Sequence, residues 1–383
     1  MHSLFDRAVA AARQLRASDI HLKPGLAPIL RIHGELKTLQ DIPPLSREFI
    51  HSVVMSMLND RRREILERTG DVSLSLTTTE GARQRVHVWQ HRGGIAVAVR
   101  LVPTEVPPLA KLELPDCIPS LVEPGPALVL VTGSAGAGKT TTIASMIDHL
   151  GTSRAAHVVT IEDPVEILLR DRRSVVAQRE VGLDAPTAAA ALRAATRQDA
   201  DVLVLGDLRD GETTELAITA VETGRLVVAG IAARDALDAV RRVVGLLPAA
   251  EQAATRARLA TVLRAVVALR LCTRADGHGR VPACDLLIVD AEGRERLRQP
   301  GSETELGARM AAGRPAGSTT FDRSLVDLAR RKRVTRAEAL ARAADPEAVA
   351  RALAQAALGV GGEAAAAAAR PAEAPVEDGA PAD

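Results

Sequence analysis

At 383 residues and 46% apolar, the chain is long enough for two packed domains, with a core of Ala, Leu and Val because aromatics are only 1%. A formal net charge of +1 supplies no global field to recruit nucleic acid or an anionic membrane surface. Cys117, Cys272 and Cys284 form no CxxC pair, which argues against zinc or a disulfide framework. Neither a signal core nor a run of ~20 apolar residues is present, so a soluble protein of a reducing cytoplasm is expected.

Residues 1–103 read as a first unit. Alternation over 29–33, 72–76, 85–89 and 95–100 predicts half-buried strands, with helices between them over 46–58 and 61–67. The basic runs at 61–63 and 330–333 read as solvated helix faces. Pro103, Pro107 and Pro108 mark a linker, set at 104–112. From 113 to 290, apolar runs at 127–132, 158–161, 202–205, 226–230 and 286–289 alternate with amphipathic helices. That rhythm predicts an α/β unit with a mostly parallel sheet covered on both faces. Helical material is expected over 291–358, and the Ala/Glu/Pro-rich tail at 359–383 reads as disordered.

Gly133, Ser134, Ala135, Gly136, Ala137, Gly138, Lys139 and Thr140 form a complete GxxxxGK[ST] pattern between a predicted strand and a predicted helix. Glycines let the backbone form a cup whose N–H groups converge on a β-phosphate. Lys139 reaches the β- and γ-phosphates, the Thr140 hydroxyl can ligand Mg²⁺, and Thr141 continues the same turn. The chain is therefore expected to bind ATP. Hydrolysis further needs a carboxylate to activate water and another to organise the metal. Glu166, in Ile161-Glu-Asp-Pro-Val-Glu166, and Asp207, at the end of the apolar run 202–205, stand at strand ends where ligands sit in open α/β sheets.

Motifs along most of the chain resemble the secretion ATPases of type II secretion and type IV pili, closest to the twitching-motility or pilus-retraction branch. They are Ala17-Ser-Asp-Ile-His-Leu22, Arg31-Ile-His-Gly34, the loop at 133–140, Thr160-Ile-Glu-Asp-Pro-Val-Glu166, Gln178-Arg-Glu-Val181, Gly206-Asp-Leu-Arg-Asp210, Val221-Glu-Thr-Gly224 and Arg274-Ala-Asp-Gly277. The branch is chosen by the lack of a long extra N-terminal domain and of a four-cysteine metal insert. The resemblance implies an N-terminal PAS-like α+β domain followed by a RecA-like domain, with ATP and Mg²⁺ between them. It assigns the general base to Glu166, the phosphate-loop roles to Lys139 and Thr140, and the Walker B acid, holding Mg²⁺ through water, to Asp207. The family's N-terminal-domain arginines fall on Arg85 and Arg100, with Arg92 as a further candidate. It also implies a cytoplasmic homohexamer lying peripherally at the inner membrane against a platform protein. The charge balance and the 160–166 motif argue against a nucleic-acid partner, and an accessory role would instead place the chain in a mixed ring with a paralogue.

The chain departs from that pattern in places. Asp207 stands where the retraction branch normally has Glu, one methylene longer. Both histidines of the His box are missing: Arg225 and Ala232 take their places, and Arg225 is expected to keep a cation near the γ-phosphate. Residues 292–297 read EGRERL where the retraction branch has AIRNL. These changes predict a slow motor ATPase, the alternative being a non-hydrolysing nucleotide-binding subunit that regulates a paralogous motor.

Overall fold

The computed structural model describes residues 3–15, 17–32, 35–77, 83–101 and 105–357. The first unit runs α1 (Ser3–Gln14), β1 (Asp19–Leu22), β2 (Ile29–Ile32), β3 (Glu35–Thr38), α2 (Arg47–Met57), α3 (Asp60–Thr69), β4 (Asp71–Thr77), β5 (Arg83–His91) and β6 (Gly94–Leu101). Local signals set the helix ends. Ser46 caps α2 by accepting from the Phe49 N–H, Asn59 caps α3 by accepting from Arg62, and Gly70 closes α3 in the left-handed region.

The six strands form an antiparallel sheet in the order β3-β2-β1-β6-β5-β4. Period-two alternation sorts its faces. Ile20, Leu22, Leu30, Val86, Val88, Val97 and Val99 are buried in one cluster with Phe5, Ala8 and Ala12 of α1 and Ile50, Val53, Val54 and Leu66 of α2 and α3. Each Val, Leu, Ile or Phe side chain among them contributes about 1.5–3 kcal/mol when removed from water. The opposite face carries a charged row in register, Arg31–Asp19–Arg100–Arg85, across β2, β1, β6 and β5.

The second unit runs β7 (Ala127–Thr132), α4 (Lys139–Ser153), β8 (His157–Glu162), β9 (Val175–Glu180), α5 (Ala188–Ala195), β10 (Val202–Leu205), α6 (Gly211–Glu222), β11 (Leu226–Ile231), α7 (Ala236–Gly245), α8 (Gln252–Val262), β12 (Leu263–Thr273) and β13 (Arg280–Ile288). After it come α9 (Ala291–Arg298), α10 (Glu303–Ala311), α11 (Phe321–Arg330), α12 (Arg336–Arg342) and α13 (Pro346–Ala357). The sheet order is β13-β12-β7-β11-β10-β8-β9, parallel throughout except for β13. All six residues of β7 are buried, as expected of a strand covered on both sides. Its Leu128 and Leu130 face a core shared with α5 to α8. Ala127, Val129 and Val131 face Ile143, Met146, Ile147 and Leu150 of α4.

The sheet is larger than the sequence alone suggests. β9 and β12 were not among the expected strands, and β13 begins six residues before the expected run at 286. The helices after β13 share the sheet's core: Leu297, Leu306, Met310, Phe321, Leu325 and Ala339 lie in the same cluster as Leu128 and Val266. Of the expected linker, 105–112 is described, and 109–112 form a 3₁₀ turn whose Leu109 is buried against the α4 side. Glu113 then accepts from Arg274 at 2.7 Å and Arg333 at 2.6 Å, fastening this stretch to the second unit. The expected tail at 359–383 lies outside the described residues.

Candidate nucleotide site

Parallel pairing brings the carboxyl ends of four strands to one edge. Leu205 lies opposite Ile161 and Ala229, and Thr132 opposite Ile231. Everything that follows these strands in sequence therefore gathers there: Gly133 after β7, Asp163 and Glu166 after β8, Asp207 after β10, and Ala232 after β11.

The loop after β7 turns sharply enough that Gly133 sits at φ +146° and Gly136 at φ +75°. At Gly133 an added Cβ would lie 2.6 Å from the Leu269 carbonyl oxygen and 2.8 Å from the Ala137 Cβ. Gly138 ends the loop as the N-cap of α4, so the helix N-terminus and its partial positive charge face the cup. Ser134, Ala135 and Gly136 are exposed, Ala137 is buried, and Thr140 and Thr141 are half-buried in the first turn of α4. The Lys139 ammonium donates to the carbonyls of Gly133 at 2.8 Å and Ser134 at 3.2 Å, so it lies across its own loop.

Thr140 shares a small cavity with Thr160, Glu162, Gln178 and Gly206. Glu162 is held there by Thr160 Oγ1 at 2.7 Å and Gln178 Nε2 at 2.9 Å, both donating to its Oε1. On the other side of the strand ends, Arg209 joins two loops. Its Nη1 donates to Asp163 Oδ2 at 2.9 Å and its Nε to Asp207 Oδ2 at 3.0 Å. The hydrogen bond to Asp207 raises the already high pKa of Arg209. Asp207 Oδ1 is buried without a hydrogen-bond partner. A buried, unpaired carboxylate oxygen suits a hard cation or its bound water, and the Thr140 hydroxyl stands on the same edge, so these residues fit Mg²⁺.

The first unit reaches this edge through Arg85, whose Nη1 lies 3.8 Å from Glu166 Oε1. Arg85 is directly opposite Arg100 on the neighbouring strand, a like-charge pairing that is unfavourable by itself. Carboxylates relieve it on both sides, Asp19 at 2.9 Å from Arg100 and Glu166 beside Arg85. Arg100 thus shares the face of Arg85 but is engaged within its own unit. Arg92 is separated from both, in the turn between β5 and β6 at the far end of the hairpin.

Arg225 requires a correction. It precedes β11, whose Leu226 pairs with Ala127, so it lies at the sheet edge opposite Gly133. A six-residue strand at about 3.3 Å per residue separates it from the phosphate loop by ~20 Å. Its guanidinium donates to Thr223 Oγ1 and the Thr196 carbonyl, both at 2.8 Å. It cannot stand in for a γ-phosphate sensor within this chain. Ala232, by contrast, is at the ligand edge and lines a cavity of about 660 Å³ with Asp207, Arg209 and Arg234.

Three side chains at this edge had no role assigned from sequence: Glu162, Asp163 and Arg209. All lie inside recognised motifs, so the signal was present, but each also has a distant partner, Gln178 for Glu162 at 16 residues and Asp163 for Arg209 at 46, that only the fold brings near.

The type II/IV secretion system protein family matches residues 1–360. The twitching motility protein of Neisseria gonorrhoeae is 34% identical over 339 residues, covering 87% of this chain and 90% of its own. The type IV pilus retraction ATPase PilT of Pseudomonas aeruginosa is 33% identical over 331 residues, covering 86% and 95%. The crystal structure of the pilus retraction motor PilT with bound ADP superposes with a TM-score of 0.82 at 37% identity, over 90% of this chain and 98% of that one. On the family match over most of its length and on these near full-length relatives, the chain belongs to the type II/IV secretion system protein family.

Proposed function

We propose that this protein is an ATP-hydrolysing motor of the pilus-retraction type. The observation that carries the reading is the convergence of the phosphate loop, Glu166, Asp207 and Arg85 on one sheet edge. The triphosphate lies on the loop amides at the N-terminus of α4. Lys139 exchanges its two carbonyl partners for the β- and γ-phosphates. Glu166 accepts the proton of the attacking water, and Arg85 leaves that carboxylate to meet the charge developing on the γ-phosphoryl group. Mg²⁺ would be held by Thr140 and, through water, by Asp207, and when bound it neutralises charge on the β- and γ-phosphates. Because Arg85 belongs to the first unit, nucleotide entry pulls on that unit, and this couples chemistry to domain movement.

The working form is a ring of six copies, docked on an inner-membrane platform protein. Among the described residues no helix is long and apolar enough to cross a membrane. Loss of the His-box imidazole at Ala232 slows turnover; a missing polar contact to the transition state typically costs ~10²–10³ in rate. The test is Mg²⁺-dependent phosphate release by purified protein, abolished in Lys139→Ala and lowered ~10²–10⁴-fold in Glu166→Gln. ATP binding with no release above those variants would overturn the motor reading. Sedimentation with a non-hydrolysable ATP analogue should give a hexamer, and a monomer under every nucleotide condition would refute the ring.

A further inference from the structure

Arg209 is more than half exposed, and an exposed ion pair contributes only ~0–1 kcal/mol to folding. Its geometry is nevertheless specific. One guanidinium uses two different nitrogens on two carboxylates 44 residues apart in sequence, Asp163 after β8 and Asp207 after β10. Lysine could not do this, because its single ammonium lacks the rigid fork. The consequence falls on Asp207. With Oδ2 taken by Arg209, the other oxygen, Oδ1, is turned inward, buried and without a partner. A free aspartate rotates about a soft terminal torsion and presents either oxygen. This one is held.

We propose that Arg209 is a positioning residue: it aims Oδ1 of Asp207 at the metal-bound water and so sets the Mg²⁺ affinity of the nucleotide complex. The inference rests on the ATP reading above. It also answers a feature of this chain, a Walker B acid one methylene shorter than the Glu of the retraction branch. A short side chain has less reach, so its orientation must be fixed, and Asp163 supplies the second anchor that fixes it. Among the described residues, Arg209 is the one cation paired with Asp207. The side of the cavity beyond Ala232 brings Arg234, which is instead turned to Asp238 at 3.5 Å.

The test separates metal affinity from nucleotide affinity. A fluorescent ATP analogue is bound in EDTA and then titrated with Mg²⁺, with thermal melting as the check on folding. Outer-shell partners of metal sites typically change affinity 10–100-fold when removed. Arg209→Gln should therefore leave analogue affinity in EDTA within about twofold of wild type and raise the half-saturating Mg²⁺ concentration at least about tenfold. Arg209→Lys should not restore it. Asp207→Asn should give a similar shift, and adding Arg209→Gln to it should add nothing. Lengthening the acid, in Asp207→Glu with Arg209→Gln, should recover most of the loss, a result that a merely structural role for Arg209 would not produce. An unchanged Mg²⁺ midpoint in Arg209→Gln, or additive shifts in the double variant, would overturn the proposal. If instead wild type and Lys139→Ala bind the analogue equally, the nucleotide site itself is wrong and this inference falls with it.

Discussion

Gly133 and Gly136 occupy the same loop, and alanine at each position separates steric strain from dihedral strain. At Gly136, φ is +75° and nothing lies within 4 Å of an added Cβ, so Gly136→Ala costs only the left-handed backbone penalty, about 1–2 kcal/mol. At Gly133, φ is +146° and the Cβ would lie 2.6 Å from Leu269 O, a backbone atom of β12 that cannot rotate away. Ordinary C···O approach begins at about 3.3 Å, so about 0.7 Å must be found by moving the loop or the strand. Overpacking of this kind adds about 1–3 kcal/mol to the dihedral cost. Gly133→Ala should therefore melt about 2–12 °C below Gly136→Ala, at the 2–4 °C per kcal/mol typical of domains of 150–250 residues. It should also lose more nucleotide affinity, since the loop amides move with it. Thermal melting by circular dichroism, with and without ATP, measures both. Equal melting temperatures for the two variants would refute the steric argument.

Asp285 offers a pH test. It is buried on β13 and accepts from the Ala236 N–H at the start of α7, and burial pushes its pKa up to about 6. Because the folded value lies above the ordinary carboxylate value, its contribution to stability is fully present below about pH 4 and is lost as pH rises through about 6, on the order of 3 kcal/mol in all. Urea unfolding of Asp285→Asn should show a flatter stability profile than wild type across that window; parallel profiles would contradict the assignment. Ala232→His restores an imidazole at the ligand edge, where the cavity beside Asp207 has room for it. Phosphate release should rise at least about tenfold and gain a titration near pH 6.5, whereas an unchanged rate would mean that the missing histidine does not limit turnover.

How much of this was legible depends on how local each signal is. The phosphate loop is a contiguous pattern whose geometry follows from its own residues, and β7, β8, β10 and β11 declare themselves as short apolar runs. β12 does not. Its Leu263 follows Val262 of α8 with neither Gly nor Pro between, and an Ala-, Leu- and Val-rich run of this kind fits a buried helix as well as a strand. Pairing with β7 and β13 on either side decides it. β9 is an edge strand with Val175 exposed and a Gln-Arg-Glu end, so it lacks the apolar run of a covered strand. The Arg225 expectation failed because a motif was read without strand direction. The residue precedes its strand, whereas ligand-facing residues of a parallel sheet follow theirs. Arg209 was visible inside Gly206-Asp-Leu-Arg-Asp210, but its role depends on Asp163, which only the adjacency of β8 and β10 brings near.

The central claim is that a metal-bound triphosphate lies on the amides beside Lys139, with Glu166 activating the attacking water. The most direct measurement is the identity of the nucleotide that stays on the protein after a single loading with Mg²⁺ and ATP, followed by rapid quench. Wild type should yield ADP, Glu166→Gln should retain intact ATP, and Lys139→Ala should retain neither. Conversion of ATP to ADP by Glu166→Gln at the wild-type rate would contradict the account.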